Sequence, residues 1–166
     1  ENLGDITRLE GYLFPDTYEF YLNEKPASAI KRLLDNFNRK MTEERMQAVE
    51  ESGYSLKEII TIASLIEKET DGTDREKISS VIYNRLENAG ETAYYLQIDA
   101  SLVYAAGRAI TQEDYETLDS PYNLYQHTGL PPRASDGGKP WSKGQQNKAT
   151  AFAKGKKKSR QPNIPR

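Results

Sequence analysis

Two glutamates close an apolar segment of the chain, in the stretch TIASLIEKET at residues 61–70. At about 100° per residue, the side chains of Glu67 and Glu69 border the aliphatic face of a helix, whereas Lys68 points away from it. Partial burial disfavours a charged carboxylate and raises its pKa, which suits a glutamate to act as a general acid near neutral pH. Alternatively, one or both glutamates pair with a neighbouring Arg or Lys at the edge of the core. Helix geometry leaves both roles open and does not choose between Glu67 and Glu69.

The helix that carries these glutamates has clear ends in the sequence. Ser55, with Glu58 three residues later, is a capping box, and Asp71 followed by Gly72 predicts an end near Thr70. The remaining elements are predicted from apolar periodicity and turn residues. An extended opening segment with a turn at Pro15-Asp16 is followed by one helix over 26–52 and by a helix over 73–89 that begins with a capping box at Thr73. After these come a β-like stretch over 93–99 that turns helical after Asp99, a short helix over 111–118 and a turn-rich loop over 120–132. The pattern predicts a mostly helical α+β domain.

The composition excludes several kinds of site. The chain has 166 residues and no cysteine, so disulfides, thiolate zinc sites and cysteine nucleophiles are absent. Its one histidine, His127, lies in a turn-rich segment and offers no partner for a metal site. There is also no glycine-rich phosphate loop, so we expect no metal and no cofactor.

Charge is divided unevenly along the chain. Residues 133–166 contain ten Lys or Arg and one acid, for a net charge of +9, whereas residues 1–132 have a net charge of -11. This division predicts an acidic folded domain over 1–132 and a basic, disordered tail over 133–166.

Six ordered sequence blocks lie between Leu9 and Pro132: LEGYLFPDTYEF, ASLIEKET, SSVIYNRL, LQID, SPYNLY and GLPP. Together they resemble the MltG/YceG family of endolytic murein transglycosylases. The resemblance implies a lysozyme-like catalytic domain that cleaves the β-1,4 bond between N-acetylmuramic acid and N-acetylglucosamine and leaves a 1,6-anhydro-N-acetylmuramic acid end. In that family the catalytic acid lies in a Glu-Ser or Glu-Thr pair at the end of an apolar helix. The matching pair is Glu69-Thr70, so the resemblance favours Glu69 as the catalytic residue and Glu67 as a supporting acid.

Further site residues follow from the other family blocks. Gln97 and Asp99 are two apart in the β-like stretch and would face the same way, to bond sugar hydroxyls or to hold Glu69; the alternative is a strand edge in water. A second set, in the loop, would contact the sugar face and N-acetyl groups or serve as packing anchors: Tyr122, Asn123 and Tyr125. On the helix before them, Asn84 and Arg85 are supporting residues, and Arg85 is interpreted as a buried ion-pair partner for a glutamate in preference to a substrate contact.

Beyond GLPP the sequence departs from the family pattern at Arg133, which leaves the activity of this version open. Two alternatives follow: an inactive glycan-binding remnant, or polyanion binding through the basic tail. The tail has few aromatic residues among its lysines, so nucleic acid is not the expected partner. The resemblance implies peptidoglycan glycan strands as substrate, cell-wall synthases as possible partners, a membrane anchor only in the full-length parent, and a location at the extracytoplasmic face of the bacterial cytoplasmic membrane.

Overall fold

The computed structural model describes residues 6–70 and 72–134. Within these residues there are six α-helices and one 3-10 helix, and none of the described residues lies in a β-strand. In chain order the elements are the 3-10 helix Ile6–Leu9, α1 (Pro26–Lys40), α2 (Glu43–Ser52), α3 (Leu56–Glu69), α4 (Arg75–Glu87), α5 (Asp99–Ala106) and α6 (Asp114–Thr117). The expectation of a mostly helical domain is confirmed for this part of the chain.

Helix α3 begins as the sequence predicts. The Ser55 side chain accepts a hydrogen bond from the backbone N–H of Glu58 at 3.3 Å, and the Glu58 carboxylate accepts one from the N–H of Ser55 at 2.7 Å. This reciprocal capping box satisfies two amides that the helix itself cannot pair. Every residue from Ile59 to Ile66 is buried, so α3 supplies much of the core.

The predicted helix over 26–52 is two helices, separated at Met41 and Thr42. The last turn of α1 is basic and the first turn of α2 is acidic, and each charge is stabilised by the dipole of its own helix. Arg45 donates to the carbonyl of Lys40 at 2.5 Å, which satisfies one of the exposed carbonyls at the end of α1. The single-helix prediction was wrong because the apolar period continues across a break that only the charge pattern marks.

The core anchors the loops on which predicted site residues lie. Leu96 and Leu124 are fully buried, and they pack in one cluster with residues of α3 and α4. Each buried side chain of this size stabilises the fold by about 1.5–3 kcal/mol. The segments that lead to Asp99 and Tyr125 are therefore held by the core. The cluster consists of Ile62, Ala63, Leu65, Ile66, Ile82, Tyr83, Leu96, Ile98 and Leu124.

The small β element predicted over 93–99 is absent from the described residues. Ala93, Tyr94 and Gln97 have φ angles of 47°, 69° and 53°, and residues in this left-handed region do not continue a strand. The N–H of Gln97 donates to the carbonyl of Leu124 at 3.1 Å, so the segment is attached to the loop by backbone bonds without forming a ladder.

The other predicted elements agree with the structure to different degrees. Helices α5 and α6 and the turn-rich loop lie where they were expected. Helix α4 begins at Arg75 with Asp74 at its N-cap, one residue later than the start predicted from Thr73, and the Asp74 side chain makes no capping hydrogen bond. The basic tail was predicted to be disordered, and its residues from 135 onward lie outside the described part of the chain. Among the described residues, no helix has both the length and the apolar character of a membrane span.

Candidate active site

Glu69 is the last residue of α3, and its carboxylate lies at the start of α5. The backbone N–H of Ala100, the second residue of α5, is near this carboxylate. The residue is exposed, yet partial desolvation of the carboxyl raises its pKa. The N–H of Ala100 lowers the pKa, and the negative charge of Asp99 raises it again, so that the pKa of Glu69 is raised overall. Glu69 thus has the electrostatic character of a general acid.

Asp99 is held beside Glu69 by two tyrosines. Its Oδ1 accepts hydrogen bonds from the hydroxyl of Tyr125 at 2.6 Å and from that of Tyr115 at 3.1 Å. The two rings meet edge to face, with centroids 4.6 Å apart. Desolvation, followed by the hydrogen bond to Asp99, raises the pKa of both phenols, so they remain protonated donors. The result is a carboxyl group with a fixed position and an aromatic surface next to it.

Glu67 has a different role at the same end of α3. Its carboxylate lies 3.9 Å from the guanidinium of Arg75, and its side chain is 23% exposed. This contact matches the ion-pair alternative, and it joins α3 to α4 across the turn that follows Glu69. In that turn the Thr70 hydroxyl accepts the N–H of Gly72 at 2.9 Å. Glu67 and Thr70 therefore fix the backbone on either side of Glu69.

Three other predicted residues lie along the approach to α5. Arg85 donates to the carbonyl of Leu96, so its observed partner is a backbone oxygen and not the glutamate expected from the sequence. Asn84 is exposed, and its carbonyl accepts the hydrogen bonds that close α4. Gln97 is exposed between two buried neighbours. Because α5 begins at Asp99, the alternation that would give Gln97 and Asp99 a shared face is interrupted.

Asn123 is fully buried, and its amide is used inside the loop. Its Nδ2 donates to the carbonyls of Leu118 at 3.0 Å and Tyr115 at 3.3 Å, and its Oδ1 accepts the N–H of Tyr125 at 3.2 Å. The Asn123 side chain is inaccessible in this structure, which supports the packing role over the predicted contact with substrate. Its bonds instead position the two tyrosines that contact Asp99.

Tyr122 takes the packing role that the sequence left open. Its ring lies against that of Tyr104, with centroids 4.8 Å apart, and its carbonyl accepts the hydroxyl of Ser101 at 2.8 Å. Both contacts are made to α5. Tyr122 therefore anchors the loop on α5, whereas Tyr125 contacts Asp99.

Sequence reasoning missed two groups of the site, Tyr115 and the N–H of Ala100. The prediction that helix begins at Asp99 could have suggested the second, because the first amides of a helix are unpaired and attract carboxylates. Tyr115 has no such local signal. Its contact with Asp99 spans sixteen positions and depends on the Asn123 amide.

The arrangement defines a class of site. One carboxyl with a raised pKa can donate and recover a proton, while the carboxyl of Asp99 and an aromatic edge can contact a polar ring. No group of three or more potential metal ligands occurs among the described residues. Glu69 and Asp99 thus form a candidate acid–base site at the junction of α3 and α5.

The comparisons identify the family. The profile of the YceG-like family matches residues 1–134, and the chain belongs to that family. It is 39% identical over 127 residues to the endolytic murein transglycosylase of Bacillus subtilis strain 168, a match that covers 75% of this chain and 34% of that protein. It also resembles the crystal structure of a yceG-like protein from Listeria monocytogenes, with a TM-score of 0.71 and 32% identity over 87% of this chain and 45% of that chain. The family resemblance read from the six sequence blocks is confirmed.

A different relationship concerns a shorter part of the chain. A stretch of 43 residues is 98% identical to a UPF0313 protein of Pseudomonas aeruginosa, covering 26% of this chain and 6% of that protein. The chain thus spans a small part of this relative and about a third of the Bacillus subtilis protein.

Proposed function

We propose that this chain is the catalytic region of an endolytic lytic transglycosylase that acts on peptidoglycan. Membership of the YceG-like family and the similarity to the endolytic murein transglycosylase of Bacillus subtilis support this reaction class. The single observation on which the proposal rests is the raised pKa of Glu69 at the junction of α3 and α5. Such a carboxyl stays protonated closer to neutral pH than an ordinary glutamate and can protonate a departing oxygen.

In the proposed reaction Glu69 acts twice. It first donates its proton to the glycosidic oxygen between N-acetylmuramic acid and N-acetylglucosamine, and the bond from that oxygen to C1 of the muramic acid breaks. The C6 hydroxyl oxygen of the same sugar then forms a bond to C1, and its proton passes to the Glu69 carboxylate. The products are a 1,6-anhydro end and a free 4-hydroxyl, and Glu69 is protonated again. The internal hydroxyl is favoured over water because it is already held near C1.

The remaining side chains either contact the glycan or hold the backbone around Glu69. Desolvation raises the pKa of Glu69, the charge of Asp99 adds to that rise, and Asp99 can accept a hydrogen bond from a sugar hydroxyl. Tyr125 holds Asp99 and presents an aromatic edge, and the exposed amide of Gln97 is available to the glycan. Glu67 and Arg85 act at a distance, by holding the backbone on both sides of the site.

The wider setting is proposed on the same basis. The substrate would be glycan strands at the extracytoplasmic face of the bacterial cytoplasmic membrane, with cell-wall synthases as partners of the full-length protein. The lysozyme-like architecture stays a prediction. No observation favours the glycan-binding remnant, and polyanion binding through the tail concerns residues outside the described range.

The proposal is tested by Glu69→Gln, with digestion of purified sacculi and mass spectrometry of the released fragments. The variant keeps the shape of the side chain but cannot donate a carboxyl proton, so we expect anhydro-ended fragments to fall by about 10²–10⁴. Glu76→Gln, which changes an acid in the first turn of α4, is the matched control and should digest at the wild-type rate.

Two results would contradict the assignment. Normal digestion by Glu69→Gln would remove Glu69 from the reaction. Products with reducing ends in place of anhydro ends would show that water is the acceptor, which would make the enzyme a hydrolase. Binding of sacculi without any turnover by the wild-type chain would support the glycan-binding remnant.

A further inference from the structure

A cavity of about 290 Å³ lies beside the first half of α3, at the far end of that helix from Glu69. Lys57 lines it from the first turn of α3, and Ile60 lines it one turn later. Lys57 precedes Glu69 by twelve residues, which corresponds to roughly 18 Å along a helix axis. The cavity is therefore a separate location from the acid–base site, on the same helix. Its volume equals that of about ten water molecules, enough for a small polar group.

The wall of the cavity has a net positive charge. Arg8, Lys57 and Arg133 contribute three positive charges, and Glu10 contributes one negative charge. The Glu10 carboxylate already accepts the Tyr104 hydroxyl at 2.8 and 2.9 Å. Arg8 and Lys57 are exposed, so their head groups can reach a ligand that enters from solvent. Guanidinium and ammonium groups around one cavity favour a ligand with carboxylate oxygens.

A close backbone contact shapes the cavity. Gly11 has a φ of 83°, and a Cβ atom at this position would lie 2.4 Å from Cγ2 of Ile60. Only glycine permits this approach, which brings Glu10 against α3. The acidic and basic walls are thus held at a fixed separation by the fold.

We propose that this cavity binds a carboxylate of the short peptides that peptidoglycan strands carry. The inference rests on the proposed function and adds to it a subsite for the peptide stem, at the opposite end of α3 from Glu69. The chain's own continuation is a poor occupant because residues 134–166 contain nine Lys or Arg and one acid. Like charges would repel it from the three cations.

The test uses the full chain and the dipeptide L-alanyl-γ-D-glutamate, followed by calorimetric titration. Lys57→Gln should weaken binding about fivefold, the size expected for one solvent-facing ion pair, and added salt should weaken it further. Lys77→Gln is the matched control, since Lys77 is also in the first turn of a helix but lies outside the cavity. The diamide of the same dipeptide should not bind.

The outcome is independent of turnover. Glu69→Gln should bind the dipeptide with wild-type affinity, even when it no longer digests sacculi. Dipeptide binding therefore tests the subsite whether or not Glu69 is the catalytic residue. The subsite is overturned if Lys57→Gln binds with wild-type affinity or if the diamide binds equally well. It is also overturned if Glu69→Gln abolishes dipeptide binding, or if inorganic phosphate displaces the dipeptide at equal concentration, which would indicate a site for any anion.

Discussion

Two tyrosine–carboxylate contacts in this protein use the same chemical groups in different ways. At Glu10, one hydroxyl, that of Tyr104, lies 2.8 and 2.9 Å from the two carboxylate oxygens. At Asp99, two hydroxyls, those of Tyr125 and Tyr115, converge on Oδ1 at 2.6 and 3.1 Å. The first arrangement involves both oxygens of the acid, whereas the second leaves Oδ2 of Asp99 available for another donor.

The difference separates a structural contact from a candidate functional one. Tyr104 and Asp99 both belong to α5, so one short helix takes part in both contacts. The Glu10 contact links segments 94 positions apart, and its natural role is to join the start of the described chain to α5. The Asp99 contact fixes a charge beside Glu69. Both contacts use the same residue types. The number of hydrogen-bond donors at each carboxylate oxygen therefore indicates which of the two acids can bind a ligand.

The largest effect on this comparison is expected from Asp99→Asn. The value of kcat/KM on sacculi should fall about ten- to hundredfold, the range for losing hydrogen bonds to a charged group. The charge of Asp99 raises the pKa of Glu69, so its removal lowers that pKa and moves the alkaline limb of the pH–rate profile to lower pH. Glu10→Gln is the control and should leave the profile in place. A profile unchanged in Asp99→Asn would show that Asp99 does not act through Glu69.

Removing one hydroxyl from each contact gives a smaller and more direct comparison. Tyr125→Phe should lower kcat/KM about fivefold, because Asp99 loses its shorter hydrogen bond, with little change in Tm. Tyr104→Phe should lower the free energy of unfolding by about 1 kcal/mol and leave kcat/KM unchanged. Denaturant unfolding and sacculus digestion of both variants provide the measurements. The opposite pattern would reverse the roles assigned to the two contacts.

The smallest expected effect is a gain in stability from Glu69→Gln. The pKa of Glu69 is higher in the folded chain than in the unfolded chain, so stability falls as pH rises from the ordinary carboxyl pKa through the folded value. Glutamine cannot ionise, and the variant should therefore have a Tm equal to or above that of the wild-type chain at neutral pH. The two Tm values should converge at a pH below the ordinary carboxyl pKa. A lower Tm for the variant at neutral pH would mean that the charged form stabilises the fold.

Local patterns were sufficient to predict the part of the site that lies on α3. The capping box at Ser55 and the apolar period placed the start and the buried face of the helix, and the turn signal after Thr70 placed its end. Glu69 is at that end because the helix length is fixed by these signals. The choice of Glu69 over Glu67 came from the family pattern, and the pair between Glu67 and Arg75 now gives Glu67 a separate role.

Contacts between distant segments explain why the observed surroundings of Asn123 and Arg85 differ from those predicted from the sequence. Asn123 looks like a surface amide in its loop, but burial of the neighbouring Leu124 draws it inside, where it bonds to carbonyls at the end of α6. Arg85 was expected to find a carboxylate and instead satisfies the carbonyl of Leu96, which the left-handed backbone at Gln97 helps to expose. A periodicity in one segment contains no information about such partners.

The left-handed backbone before α5 has a consequence for engineering. Ala93 is exposed and has a φ of 47°, a conformation that costs an L-residue about 1–2 kcal/mol. Glycine at this position would relieve the conformational penalty without creating a cavity in the core, because the Ala93 side chain is exposed. A directed-evolution library selected for heat tolerance would thus be expected to enrich this exchange early, before any repacking of the aliphatic interior.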